Sequence, residues 1–309
     1  MGGEPAEEVE EEEEEKMRMV KIGSYGGLVR LLVAIDGECT AAAEETMLLW
    51  GIQQPTLSKP NAFARQSSIH LHLDACGHSL SILQSPSSLS TPGVTGAVMW
   101  DSGVVLGKFL EHAADTGMLL LQGRKVIELG SGCGLVGCIA ALLGAQVVLT
   151  DMPDRVRLLK KNVDANLGCG HMRGSGTVCE LIWGDDPDPA LIDPMPDYVL
   201  GSDVIYNEGA VVDLLATLLQ LCGAQTTVFL AGELRNGNKC RSVVFHSSYK
   251  YLNIIVIDIY IYIYFVVDAV LEYFLEAAMK DFMVGRVDQG EWHPDYHSQR
   301  VVMYVLVKK

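Results

Sequence analysis

The stretch Val126-Ile127-Glu128-Leu129-Gly130-Ser131-Gly132-Cys133-Gly134 leaves this chain few folds to choose from. It is followed by an apolar run over 135–143 and then by Val147-Val148-Leu149-Thr150-Asp151. The order is strand, glycine turn, helix, strand, acid. Such a unit holds a nucleoside-bearing ligand. Glycines let the backbone approach the ligand, and a carboxylate ending the second strand can accept hydrogen bonds from both ribose hydroxyls.

The glycines alone leave the nucleoside open, because Gly132-x-Gly134-x-x-Gly137 also fits a dinucleotide fingerprint. Two features favour S-adenosylmethionine (AdoMet). Glu128 stands two residues before the first glycine, where it suits a cationic amino-acid ligand better than a pyrophosphate. The glycine unit also lies far into the chain, whereas dinucleotide domains often start near it. Candidate cofactor residues here are Glu128, Gly130, Ser131, Gly132 and Asp151. A nicotinamide dehydrogenase is the competing reading, separable by which cofactor shifts the melting temperature.

The surrounding pattern is that of an α/β domain. Strands are expected at 125–129, 146–150, 178–182, 197–201, 227–231 and 301–307, and helices at 102–115, 135–143, 155–166, 211–221 and 268–281. This alternation predicts a parallel sheet covered on both faces. Ahead of it, 28–34, 69–73 and 79–83 read as strands and 84–96 as a loop, giving a β-rich extension over 25–95. His70 and His72 share one strand face, which suits solvent better than a metal with no third ligand in sight.

Of the 309 residues, the first fifteen hold nine Glu and no Lys or Arg, more than half of the net charge of −16. Residues 1–24 therefore read as a solvated acidic tail. The acidic balance argues against nucleic acid as a partner. Eight Cys without a CxxC pair, and an N-terminus unlike a signal peptide, point to reduced thiols in cytoplasm or nucleus. Cys133 has no base placed by sequence to activate it.

Further motifs are Gly96-x-x-x-Trp100-Asp101, Asn162-x-x-x-Asn166, Trp183-Gly184 and Asp203-x-x-Tyr206. With the glycine turn and Thr150-Asp151, they make 96–309 resemble the family-16 seven-strand methyltransferases. The resemblance is nearest to the protein-lysine methyltransferases of chaperones and AAA ATPases, the group that includes the valosin-containing-protein lysine methyltransferase. It implies a Rossmann-like sheet ordered 3-2-1-4-5-7-6 with the last strand antiparallel. It also implies AdoMet contacts from Trp100, Gly130 to Gly132, Asp151, Trp183 and Ser202, and a protein substrate, with no membrane partner. The competing reading of either Trp is a core aromatic, and of Asp203 a cap for the following helix.

Asp203 and Tyr206 follow the fourth strand, where open parallel sheets place their sites. A lysine amine, with a reference pKa of about 10.4, must lose its proton before methylation. These two residues are expected to orient it. Other functions compatible with the pattern are methylation of a small molecule or of another protein nitrogen. Residues 237–267 break the family pattern with an Ile- and Tyr-rich stretch that is β-prone. This stretch is short of the ~20 apolar residues of a membrane span and contains Asp258. It reads as an insertion, consistent with a translated intron whose removal would join Asn236 to Asp268. A chain carrying it could bind AdoMet without turning over.

Overall fold

The runs KVIEL, QVVLTD, YVLGS and TVFLAGE are buried almost throughout, without the in–out alternation of a half-exposed strand. Such strands belong inside a sheet covered on both faces. The computed structural model describes residues 19–33, 42, 45, 61–90, 96–168, 173–234 and 269–309, and the backbone of 239–251 and 255–267.

In chain order the strands are β1 (Met19–Val20), β2 (Val29–Leu32), β3 (His70–Ala75), β4 (His78–Leu83), β5 (Lys125–Leu129), β6 (Gln146–Asp151), β7 (Ser175–Glu180), β8 (Tyr198–Ser202), β9 (Thr227–Glu233), β10 (Lys239–Tyr251), β11 (Ile255–Val267), β12 (Phe282–Val287) and β13 (Val301–Lys308). The helices are α1 (Asp101–Asp115), α2 (Leu135–Leu142), α3 (Val156–Leu167), α4 (Pro189–Ile192), α5 (Glu208–Leu221) and α6 (Ala269–Asp281). The main sheet runs β1-β2-β12-β13-β9-β8-β5-β6-β7. Strands β7, β6, β5, β8 and β9 are parallel, and β13 is antiparallel to β9. Counted from β5, and leaving aside β10 and β11, this is the expected order 3-2-1-4-5-7-6 with an antiparallel last strand.

Two apolar layers hold the helices to this sheet. On one face Phe109, Val136, Ala140 and Leu159 pack with Val126, Leu149 and Phe229. On the other, Leu214, Leu218, Phe274 and Leu275 pack with Ile127, Val199, Leu230 and Leu306. Burying one such Leu or Phe side chain is worth about 1.5–3 kcal/mol, so these layers dominate stability. The β3–β4 hairpin forms its own small sheet and packs Leu73, Leu80 and Ile82 with Val104, Leu135 and Ile139. His70 and His72 point outward from it, stacked 6.0 Å apart. Among the described residues no helix is long and apolar enough to cross a membrane.

The structure revises three expectations. Residues 1–24 do not all lie outside the fold: Met19–Val20 pairs with β2, Ile22 is buried, and the Ser24 amide donates to Thr227 Oγ1 at 2.8 Å. Tyr25 then packs edge-on against Phe229, 5.6 Å between ring centres, so the extension shares the main core. Second, β12 had no sequence assignment. It begins at Phe282, directly after α6, with no Gly or Pro to mark a boundary. Third, β7 covers Ser175–Glu180 rather than 178–182. The expected tail over 1–18 and the part of the loop at 91–95 lie outside the described residues.

Strands β10 and β11 pair with each other over their whole length, Lys239 opposite Val267 and Tyr251 opposite Ile255, and form a sheet separate from the main one. A lone two-stranded ribbon is marginally stable, and β–α connections ordinarily take about 2–6 residues. Deleting 237–267 is expected to leave the melting temperature unchanged or raise it, and to reduce light scattering at equal concentration. A deletion form that melts several degrees lower would mean the ribbon is integral to the fold.

Candidate active site

The site is built at the carboxyl ends of β5, β6 and β8. Gly130 and Gly132 take left-handed φ angles of 58° and 53°, which cost a glycine nothing. Space forbids a side chain as well: a Cβ on Gly132 would lie 3.0 Å from the Gly96 carbonyl oxygen, and one on Gly130 3.2 Å from the Trp183 ring. The turn is pinned to β6. The Ser131 amide donates to the Thr150 carbonyl at 2.9 Å, and Thr150 Oγ1 donates to the Glu128 carbonyl at 2.7 Å.

Asp151 closes this arrangement. Its Oδ2 accepts from the Gly132 amide at 2.6 Å, and its Oδ1 accepts from the Met152 amide at 2.8 Å. Burial pushes its pKa up, while the two amides and the nearby Arg155 charge pull it down. Each carboxylate oxygen offers about two acceptor positions, so both can still receive a hydroxyl.

One cavity of about 240 Å³ runs past these groups, and Trp100, Gly130, Ser131, Gly132, Asp151, Trp183, Ser202, Asp203 and Tyr206 all line it. Trp100 is the N-cap position of α1. Trp183 follows β7, and Ser202 ends β8. Asp203 takes a left-handed φ of 58°, rare outside glycine. It does not cap the next helix: that is Asn207, whose Oδ1 accepts from the Gly209 amide at 2.8 Å. Tyr206 stands at the rim, 39% exposed. Cys133 also reaches the lining, but burial pushes its thiol up to about 12, which leaves it inert as a nucleophile.

Glu128 is the exception among the residues expected at the cofactor, because the structure places it behind the site. It is 1% exposed and does not line the cavity. Its Oε2 accepts from the Gly137 amide at 3.1 Å, so it braces the first turn of α2 from behind. Burial raises its pKa to about 8. The side-chain direction follows from strand alternation. Val126 packs in the layer that includes α2, and a residue two positions on shares its face.

Gly96, Met99, Met152, Arg155, Ile182 and Asp213 line the cavity without having been singled out as contacts. Gly96 carried a signal, as the first residue of Gly96-x-x-x-Trp100-Asp101. Met99, Met152, Arg155 and Ile182 come from loops or a helix start, which carry no pattern of their own, and Asp213 comes from the second turn of α5.

A family model described as lysine methyltransferase matches residues 79–248, more than half of the chain. This chain belongs to the lysine methyltransferase family. It is 44% identical over 139 residues to mouse protein N-lysine methyltransferase METTL21A, covering 45% of this chain and 61% of that protein. It is 40% identical over 160 residues to mouse EEF1A lysine methyltransferase 3, covering 52% and 64%. The Xenopus tropicalis protein of the same name is 39% identical over 165 residues, covering 53% and 68%. The chain thus spans less than two thirds of the length of the first two relatives.

Glu128 gives a stability test. Its carboxyl keeps its proton to about pH 8 in the folded chain, against an ordinary value of 4.5. Between these values the folded form holds more protons than the unfolded one, so stability falls as pH rises through the window. Glu128→Gln is expected to flatten the decline in melting temperature between pH 5 and 8. Because the side chain faces away from the cavity, its AdoMet affinity should stay within about twofold of wild type, as for a removed non-contact. A tenfold loss in calorimetry would return Glu128 to the cofactor site.

Proposed function

We propose that this chain is an AdoMet-dependent methyltransferase acting on a lysine side chain of a protein. The observation that carries the reading is one cavity with Asp151 at one side and Asp203 and Tyr206 at another, in a member of the lysine methyltransferase family. The residues fit AdoMet. Glycine backbone at 130 and 132 leaves room that a Cβ would fill, and Asp151 offers acceptors for a ribose diol. Trp183 lies over Gly130, where an adenine would pack. AdoMet supplies a methyl group already activated by its sulfonium.

The protein's task is then alignment and desolvation rather than strong acid–base chemistry. Asp203 accepts a hydrogen bond from the amine and directs it, and the Tyr206 hydroxyl orients it from the rim. Partial burial of the amine favours its neutral form. One of the three relatives is named for protein lysine and two for lysine of EEF1A. A chaperone or AAA ATPase substrate rests on the motif resemblance alone. These three classes make the first substrate panel.

A second reading has its own observation. The 237–267 segment follows closely on β9, whose Glu233 amide holds Asp203 Oδ1 at 3.1 Å. On this reading the full-length chain binds AdoMet but turns over poorly. Incubating chains with and without 237–267 with labelled AdoMet and the panel separates the two. A methylated lysine found by mass spectrometry supports enzyme function. Label transfer by neither form, to panel or cell extract, would overturn it.

Two substitutions test the roles. Asp151→Ala should weaken AdoMet by about 1.5–3 kcal/mol, the scale of hydrogen bonds to a charged group, read by calorimetry. Asp203→Ala should lower kcat by about 100-fold through lost alignment, with a smaller change in AdoMet affinity. Tyr206→Phe should act in the same direction. Normal turnover in both Asp203→Ala and Tyr206→Phe would remove these residues from the amine side.

A further inference from the structure

Asp203 sits in strained backbone, and its surroundings hold it there. Its amide donates to the Ala231 carbonyl at 2.8 Å, and its Oδ1 accepts from the Glu233 amide at 3.1 Å. The side chain of Glu233 turns to the other wall of the site. Oε1 accepts from the Asp101 amide at 2.9 Å, at the residue after Trp100, and Oε2 pairs with Arg300 at 3.2 Å. Asp101 in turn accepts from three consecutive amides, Ala62 at 2.6 Å, Phe63 at 3.0 Å and Ala64 at 2.9 Å. Glu233 and Asp101 are both buried, and neither lines the cavity.

We propose that Glu233 is a positioning residue for methyl transfer: its amide fixes Asp203 and its carboxylate fixes the start of α1 behind Trp100. One residue thereby sets the spacing between the amine-facing carboxylate and the opposite wall. This rests on the methyltransferase reading above. The Glu233 carboxylate accepts from the Asp101 amide and pairs with Arg300, while its own amide donates to the Asp203 carboxylate, and this last bond is one that capping a helix start does not call for. Position 100, the N-cap, is Trp and makes no side-chain cap bond.

The ionised carboxylate can serve Asp101 and Arg300 at once, whereas the neutral acid presents a hydroxyl on one oxygen. The charged groups facing Glu233 are Asp203, Asp101 and Arg300. Burial first, and then the Asp203 charge, push its pKa to about 7, against the pull of the Asp101 amide and Arg300. As pH falls through about 7 the ionised form is lost and alignment loosens. The substrate amine separately loses reactivity as pH falls, because its own reference pKa is about 10.4. Just below pH 7 the slope of log kcat/KM against pH should therefore rise to about 1.5 over roughly one pH unit in the wild type and stay at about one in Glu233→Gln.

The experiment uses the full chain. Glu233→Gln is expected to lower kcat by about tenfold, with AdoMet affinity changed much less and with the reduced slope. Amide hydrogen exchange, read without substrate, should quicken at Asp101 and Glu233 in the variant. A wild-type kcat with an unchanged slope overturns the inference, as does unchanged exchange at both amides. If Glu233→Gln does not fold, Arg300→Gln serves. Removing the cation should move the inflection near pH 7 upward, and an unmoved inflection overturns the inference. A wild-type chain that transfers no methyl group defeats the function reading by itself; the exchange data then still uphold or overturn Glu233 as the link.

Discussion

The hydrogen bond from the Gly132 amide to Asp151 joins the turn after β5 to the end of β6, and the site is arranged around it. Parallel strands bring their carboxyl ends to one edge, but do not fix how a loop leaving one strand meets the end of the next. Here a buried carboxylate does so, held by the backbone of the turn it positions. Glycine at 132 is what lets the turn approach so closely, with the Gly96 carbonyl on its other side. Glu128 supports the same turn from beneath, through the amide of Gly137. Two carboxylates, one facing the cavity and one facing the core, thus hold the span from Gly132 to Gly137 in place.

Much of this was legible in the sequence because the signals are local. The glycine turn, the continuous apolar strands β5, β6, β8 and β9, and the acid after β6 lie close together in the chain. Nine of the ten proposed site residues line one cavity because the family motifs fall at strand ends, and the sheet gathers those ends. Glu128 lies outside the cavity lining because its side chain takes the α2 face of the strand, which its distance from the glycines does not reveal. Strand β12 escaped because a helix passes into a strand without turn residues, so periodicity changes with no boundary to mark it.

What could not be read locally is the long-range polar wiring. Glu233, Asp101 and Asp203 are separated by up to 132 positions, and each has an ordinary local reading as a strand end, a helix start or a cap. Only the sheet order makes them neighbours. The same holds for Tyr25, whose burial against Phe229 depends on β2 reaching the far edge of the sheet.

That far edge bears on where the folded unit begins. The family match starts at residue 79, inside β4, yet β2 lies hydrogen-bonded along β12 from Leu32–Val284 to Val29–Val287. A Cβ on Gly285 would come within 2.4 Å of a Val29 methyl group, so the two strands meet with no space between them. A chain that began at residue 79 and kept β12 would uncover the hydrogen-bonding groups of that strand along one side. Exposed strands of that kind recruit other chains. The N-terminal segment thus serves as a selvedge, the woven border that keeps a fabric from fraying, and β1 completes it with only two residues of its own.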